Sequence, residues 1–152
     1  MNRWIFVVND DEIGEQRING IEVYRTRMRH QFWGLTEDAA YRFLIEPKDV
    51  VIFYLAGKKG QKFVGDCKID SRYCKLSKEE HLKVFEEPFF VTDIGVKLKE
   101  PREWKEQLSI RPMLSKLSLT RGKEKWGIVF HHSVIKLPYD DYQTILSYEN
   151  KL

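Results

Sequence analysis

Val50-Val51-Ile52-Phe53-Tyr54-Leu55-Ala56, then Gly57-Lys58-Lys59-Gly60, then Lys62-Phe63-Val64-Gly65-Asp66-Cys67-Lys68-Ile69 is the stretch on which the fold turns. An apolar, β-branched run reads as a buried strand. The glycine-flanked lysines turn the chain, and Phe63, Gly65, Cys67 and Ile69 then alternate with Val64, Asp66 and Lys68. Period two on both sides of a glycine turn predicts a β-hairpin, with Cys67 facing inward. Working outward, Trp4 to Val8 is a second buried strand that stops at Asn9-Asp10-Asp11. Thr36, with Glu37 and Asp38 behind it, predicts a helix through Ala39, Ala40, Tyr41 and Phe43 that Pro47 ends. Ser77 and Glu80 have capping-box spacing for a short helix over 78–85. Phe89 to Leu98 alternates as a further strand, with Phe90, Ile94, Val96 and Leu98 on one side. Short helical turns are expected around Trp104–Leu108 and Pro112–Leu117, and a last strand over Trp126, Ile128 and Phe130. Pro138, Asp140 and Asp141 open a C-terminal helix that buries Tyr142, Ile145 and Leu146. Five or so short strands among helices, without a Gly-rich βα turn, predict an α+β fold. Its core would be a small, strongly bent sheet or barrel with helices on the rim.

The chain of 152 residues is one domain, 1–152, on length alone. Its 42% hydrophobic and 13% aromatic content excludes disorder, and a net charge of only +3 excludes a histone-like polycation. Any nucleic-acid contact must therefore come from a local patch. The apolar N-terminal run is too short for a signal peptide or a membrane span, which predicts a cytoplasmic protein. Cys67 and Cys74 are then expected as thiols.

Cys67 and Cys74 lie too far apart for a metal-binding pair, and the neighbours His131 and His132 would point in opposite directions on a strand, so no metal is expected. There is no nucleophile elbow, P-loop, His-Glu-x-x-His or dinucleotide glycine motif, which predicts a binding role and not an enzyme, with no cofactor. The binding signal is Arg25-Thr26-Arg27-Met28-Arg29-His30-Gln31-Phe32-Trp33-Gly34-Leu35. On an extended backbone Arg25, Arg27 and Arg29 form one cationic stripe beside Trp33. Phosphates are drawn to such a stripe, and a base stacks on a partly open indole. A solvated edge strand leading into core aromatics is the competing reading of the same residues. Arg121-Gly122-Lys123-Glu124-Lys125-Trp126 repeats the pairing of base-rich loop and tryptophan, while Trp4 and Trp104 read as packing residues.

The order of Trp4-Ile5-Phe6-Val7-Val8-Asn9, Phe32-Trp33-Gly34, Pro47-Lys48-Asp49, Val51-Ile52-Phe53-Tyr54 and Lys62-Phe63-Val64-Gly65 resembles the PUA-like superfamily. Trp126-Gly127-Ile128-Val129-Phe130 and Leu137-Pro138-Tyr139-Asp140-Asp141-Tyr142 extend the likeness over almost the whole chain. The branch it resembles holds EVE domains and the YTH readers of methylated adenine. That resemblance implies a PUA-like, EVE/YTH-type sheet or barrel of five or six strands that inserts a modified base into an aromatic pocket. Carried over, Trp33 is the first wall of the cage, Gly34 offers backbone groups to the base edge, and Asn9 faces the base. Ile94 falls where methyladenine readers place a second tryptophan, and the third wall falls near Met113 or Leu114. Arg121 resembles the arginine that grips a phosphate, with Lys123, Arg25, Arg27 and Arg29 as further backbone contacts.

The expected function is thus a DNA- or RNA-binding module that reads one modified base. The resemblance extends to specificity domains of modification-dependent restriction systems, which implies a motor or nuclease partner in that case. A small-molecule sensor for a free nucleobase or nucleoside is the alternative, and an enzyme acting on a base, dependent on Cys67 or an acid pair, ranks below both.

Overall fold

A computed structural model describes residues 1–13, 15–80 and 93–150. The strands are β1 (Arg3–Val8), β2 (Asp11–Ile13), β3 (Gln16–Ile18), β4 (Phe32–Gly34), β5 (Val50–Leu55), β6 (Lys62–Ile69), β7 (Cys74–Lys75), β8 (Ile94–Ser109) and β9 (Val134–Lys136). The α-helices α1 (Gly20–His30) and α2 (Tyr139–Asn150) join them, and residues 78–80 begin a further helical stretch. The main sheet runs β4-β8-β6-β5-β1-β9 with β7 added to β8, and β2 and β3 form a separate ribbon. β1 and β5 are parallel, with Ile5 opposite Ile52. The β5–β6 hairpin forms, Val51 opposite Cys67 and Phe53 opposite Gly65, but the register shifts between Phe53 and Tyr54, so the expected alternation breaks at Val64 and Phe63 faces the opposite core from Cys67 and Ile69.

The sheet curls until β4 at one end meets β1 near the other, bringing the Trp33 and Phe6 rings to 5.7 Å. Alternate residues of each strand therefore feed two cores. Trp4, Phe6, Val51, Phe53, Val64, Val96 and Trp33 fill the concave side under α1. Ile5, Val7, Ile52, Tyr54, Phe63, Trp104 and Leu108 face the other side, where Met113, Phe130 and Ile145 cover them. Asp49, 2% exposed, ties the concave side to the chain start by accepting from Asn2 N (2.9 Å), Trp4 Nε1 (2.9 Å) and Glu46 N (3.0 Å). Three donors satisfy a carboxylate that burial would otherwise penalise heavily.

Several expectations give way. The arginine segment is helical and not extended: Val23, Tyr24 and Thr26 bury themselves together, which a period of two does not allow. Thr36 donates its hydroxyl to Asp38 (2.6 Å), and in place of a helix only a 3-10 turn forms at Arg42–Leu44. Trp104–Leu108 is the far half of the sixteen-residue β8 and makes no helical turn. Trp126–His131 is a 3-10 segment and not a strand. A 3-10 turn at Arg111–Met113 and the C-terminal helix match expectation. The Ser77–Glu80 capping box forms in both directions, Ser77 N to Glu80 Oε1 (3.1 Å) and Glu80 N to Ser77 Oγ (3.3 Å). The rest of that helix and the strand start at Phe89 lie outside the described residues.

Candidate nucleic-acid interface

The carboxyl ends of the parallel strands β1 and β5 open onto two clefts that share Asn9, Ala56, Gly57 and Lys58. The larger, about 900 Å³, lies between Arg17 of the β2–β3 ribbon, Asn19–Ile21 at the start of α1, and the 56–60 turn, with Gln107 beyond. The smaller, about 490 Å³, is walled by Tyr54, Trp126 and Phe130, with Gln61, Gly127 and His131 around them. Together they make one groove centred on Asn9, which is exposed.

Local chemistry explains each wall. Asp10 accepts from Gly20 N (2.8 Å) and from Arg17 Nη2 (2.9 Å), so the ribbon is tied to the first turn of α1, where a carboxylate suits the helix dipole. The Arg17 guanidinium, then the Gly20 amide, hold the Asp10 carboxyl below its usual range. Lys58 and Lys59 stand on the turn exposed, and neither holds an ion pair among the described residues. On the other side Tyr54 stacks on Phe130, with centroids 4.0 Å apart at 23°. Trp126 meets Phe130 edge-on at 6.3 Å and stays half-buried. Arg111 reaches to 5.9 Å from the Trp126 ring centre and donates to Gln61 Oε1 (2.8 Å). Burial pushes the Tyr54 hydroxyl up, so it remains a protonated donor at neutral pH. The half-open indole of Trp126, backed by the buried Phe130 and Tyr54 rings and with polar groups beside it, suits a planar heterocycle, and the open lysines suit its phosphates.

The residues expected from sequence are split by the sheet. Asn9 lines the groove. Trp33 does not remain partly open: it is 1% exposed in the concave core, 4.9 Å from Phe53. Gly34 is half-buried on β4 opposite Gly95, which a side chain could not replace because its Cβ would strike the Trp33 carbonyl. Ile94 is half-buried at the start of β8, opposite Lys75. Met113 and Leu114 pack on the opposite face of the sheet from Trp33, so these residues do not close one cage. Arg121 and Lys123 are exposed on the loop that leads into Trp126, and Lys123 Nζ caps the Leu119 carbonyl (2.9 Å).

The arginine stripe is dispersed because two residues on a helix turn through about 200°. Arg25 and Arg29 stay outside, Arg25 on Glu103 (3.0 Å) and Arg29 donating to Thr26 Oγ1 (3.2 Å). Arg27 turns inward, its guanidinium 4.5 Å from the Trp33 ring centre and its buried Nε without an acceptor. Burial pulls the Arg27 pKa down to about 10, with Asp11 the charge that resists. The contact on the indole is worth ~0.5–2 kcal/mol. An orphaned buried donor costs ~1–3 kcal/mol, so it offsets that contact.

Sequence reading missed Tyr54, Phe130, Gln61, His131, Lys58 and Lys59 as one site. The available signal was a lysine pair in the turn that follows an apolar strand whose penultimate residue is a tyrosine. Among the described residues no group of three or more His, Cys, Asp or Glu side chains is placed to hold a metal ion, and no helix is long and apolar enough to cross a membrane.

Solved structures place this architecture. Human THYN1 in complex with 5-methylcytosine-containing DNA superposes with a TM-score of 0.62 at 12% identity, over 100% of this chain and 99% of that one. The YTH domain of Zygosaccharomyces rouxii MRB1, in complex with N6-methyladenosine RNA, gives 0.61 at 11% identity, over 97% and 86%. The N-terminal domain of Staphylothermus marinus McrB gives 0.61 at 13% identity, over 95% and 93%. The chain has the PUA-like fold of EVE and YTH domains. No family model matches the sequence, and no curated protein matches it. Within this PUA-like fold the groove at Asn9 follows the first strand, and β8, continuous from Ile94 to Ser109, supports both cores.

Proposed function

We propose that this chain binds nucleic acid in the groove centred on Asn9 and takes one base, modified in its natural target, against Trp126, Phe130 and Tyr54. The observation that carries the reading is the junction of an aromatic-walled pocket with a lysine-bearing one at a single polar residue. The fold is shared with proteins solved on 5-methylcytosine DNA and N6-methyladenosine RNA, which supports the choice of ligand class. Lys58, Lys59 and Arg17 neutralise phosphates, while Arg121 and Lys123 extend the cationic margin. Asn9, Gln61 and His131 meet the base edge. No step of chemistry follows binding. Taking a base out of a duplex costs a few kcal/mol, so single strands and weakened pairs bind more tightly. Likeness to the McrB domain supports a further role as the target-choosing part of a larger assembly that contains a motor.

The test is fluorescence anisotropy with single- and double-stranded oligonucleotides, plain or carrying one N6-methyladenine or 5-methylcytosine, at two salt concentrations. A preference of tenfold or more for one modified strand, lost in Trp126→Ala, supports the reading. A free-nucleobase sensor would use the smaller pocket alone, bind without the lysines and ignore salt. Absence of binding to any oligonucleotide overturns the proposal.

A further inference from the structure

Gln61 has a backbone conformation that few side chains adopt, a φ of 62° just after the 56–60 turn. Two backbone bonds hold it there: its amide donates to the Leu55 carbonyl (2.7 Å), and its carbonyl accepts from Ile110 N (3.0 Å). The side chain is held as well, because Arg111 Nη2 donates to Gln61 Oε1 (2.8 Å). A guanidinium has donors and no acceptor, which fixes the assignment: turned the other way, the amide would set its NH2 against the arginine. Nε2 is thus the one polar atom of Gln61 without a partner among the described residues. Gln61 lines the smaller cleft beside Trp126, and all it has left to offer there is a donor. Arg111 holds no ion pair among the described residues, and its guanidinium stands 5.9 Å from the Trp126 ring centre.

We propose that Arg111 is a positioning residue that fixes the Gln61 carboxamide as a hydrogen-bond donor, and that the smaller cleft thereby selects a base edge presenting an acceptor beside Trp126. The proposal rests on the nucleic-acid reading above and adds the polarity of the recognised edge. A free carboxamide serves either kind of edge, since half a turn exchanges its donors for its acceptor. Tied to a guanidinium, it serves one. The acceptor it meets is a ring nitrogen or a carbonyl oxygen of the base. An edge that offers only N–H groups would face a donor with a donor, and groups left unpaired in this way are what rejects a wrong ligand. Attraction and selection are then divided between different cations: Lys58 and Lys59 draw the phosphates, and Arg111 decides which end of an amide the base finds.

The test is anisotropy of the whole chain with single strands carrying one N6-methyladenine or one 5-methylcytosine, at two salt concentrations. Gln61→Met keeps the length of the side chain without a donor, and it should bind the preferred strand about threefold or more weakly, the loss of one neutral hydrogen bond. Gln61→Glu still gives Arg111 an oxygen to hold but offers the cleft only acceptors, so it should lose at least as much. Arg111→Met should weaken binding by releasing the amide, and Arg111→Lys, which can still donate to Oε1, should restore most of the loss. In the Gln61→Met background, Arg111→Met should add nothing at the higher salt, where a bare charge effect is screened. The Gln61 side-chain amide protons, assigned by NMR through Gln61→Met, should move when the wild-type chain binds. Binding by Gln61→Met that equals wild type overturns the proposal and leaves the groove reading intact. So does an Arg111→Met loss that persists in full in the Gln61→Met background, which would make Arg111 a direct phosphate contact. A wild-type chain that binds no strand overturns both.

Discussion

Trp33 and Trp126 are both indoles with an arginine nearby, and the two faces of one sheet treat them in opposite ways. Trp126 sits at a rim, half open, and its arginine is held off at 5.9 Å by Gln61. Trp33 sits in the concave core, 1% exposed, with its arginine at 4.5 Å and short of an acceptor. The difference teaches that an arginine's other bonds decide whether a neighbouring indole remains available. Where the guanidinium has an amide oxygen to serve, the ring stays accessible. Where it has none, it falls onto the ring.

The largest effect that separates the two is on folding. Trp33→Ala removes a ring packed on Phe6 and Phe53 and should cost ~3–5 kcal/mol, read by urea denaturation. Trp126→Ala should leave the denaturation midpoint almost in place. Equal losses for the two would erase the contrast. On ligand affinity the order reverses. Trp126→Ala should weaken oligonucleotide binding by ~1–3 kcal/mol, measured by anisotropy under conditions where the variant is folded. A smaller change is expected at the cationic side of the groove. Lys58→Gln with Lys59→Gln should flatten the slope of log affinity against log salt, by about 0.7 for each single-strand phosphate contact removed. An unchanged slope would move the phosphate track to Arg121 and Lys123.

The smallest effect is acid sensitivity on the groove side. The Asp10 carboxyl is held below its ordinary value of 3.8 by Arg17 and then by the Gly20 amide. A depressed carboxyl contributes stability that is fully present above 3.8 and is lost as pH falls through the lower folded value. Exchange of the Gly20 amide should therefore accelerate below that pH, before the concave core around Trp33 loosens. Asp10→Asn should abolish the acid dependence, and a Gly20 amide indifferent to pH would show that packing and not this carboxylate holds the ribbon.

What was legible in the sequence follows from which periods are unique. The Val50–Ile69 hairpin was legible from its glycine turn and inward Cys67, whereas the register shift that sends Phe63 to the other core leaves no mark in a period of two. The Ser77–Glu80 box names its own partners and forms as written. Trp104 and Leu108 are four apart, a spacing that puts both on one face of a strand and of a helix alike. Trp126 and Phe130 share that ambiguity, and the chain resolved the two pairs differently, one into β8 and one into a 3-10 segment. For Arg25, Arg27 and Arg29 the alternation was read from the charged residues, whereas Val23, Tyr24 and Thr26, the residues that pack, set the period. Asn9 was found because it ends a strand. Tyr54, Phe130 and His131 were not found together, since only the curl and the 3-10 segment bring them to one wall.

The β2–β3 ribbon pairs only with itself, and the 56–60 turn projects beyond the ladder that joins β5 to β6. Two borders of the groove are therefore appendages, hung on a sheet whose registers do not depend on them. Lengthening or exchanging the turn, or the ribbon short of Ile18, which is buried in the concave core, leaves both cores whole. A lineage with this scaffold is free to change its target by editing the ribbon and the turn, and selection on what is recognised is separated from selection on folding.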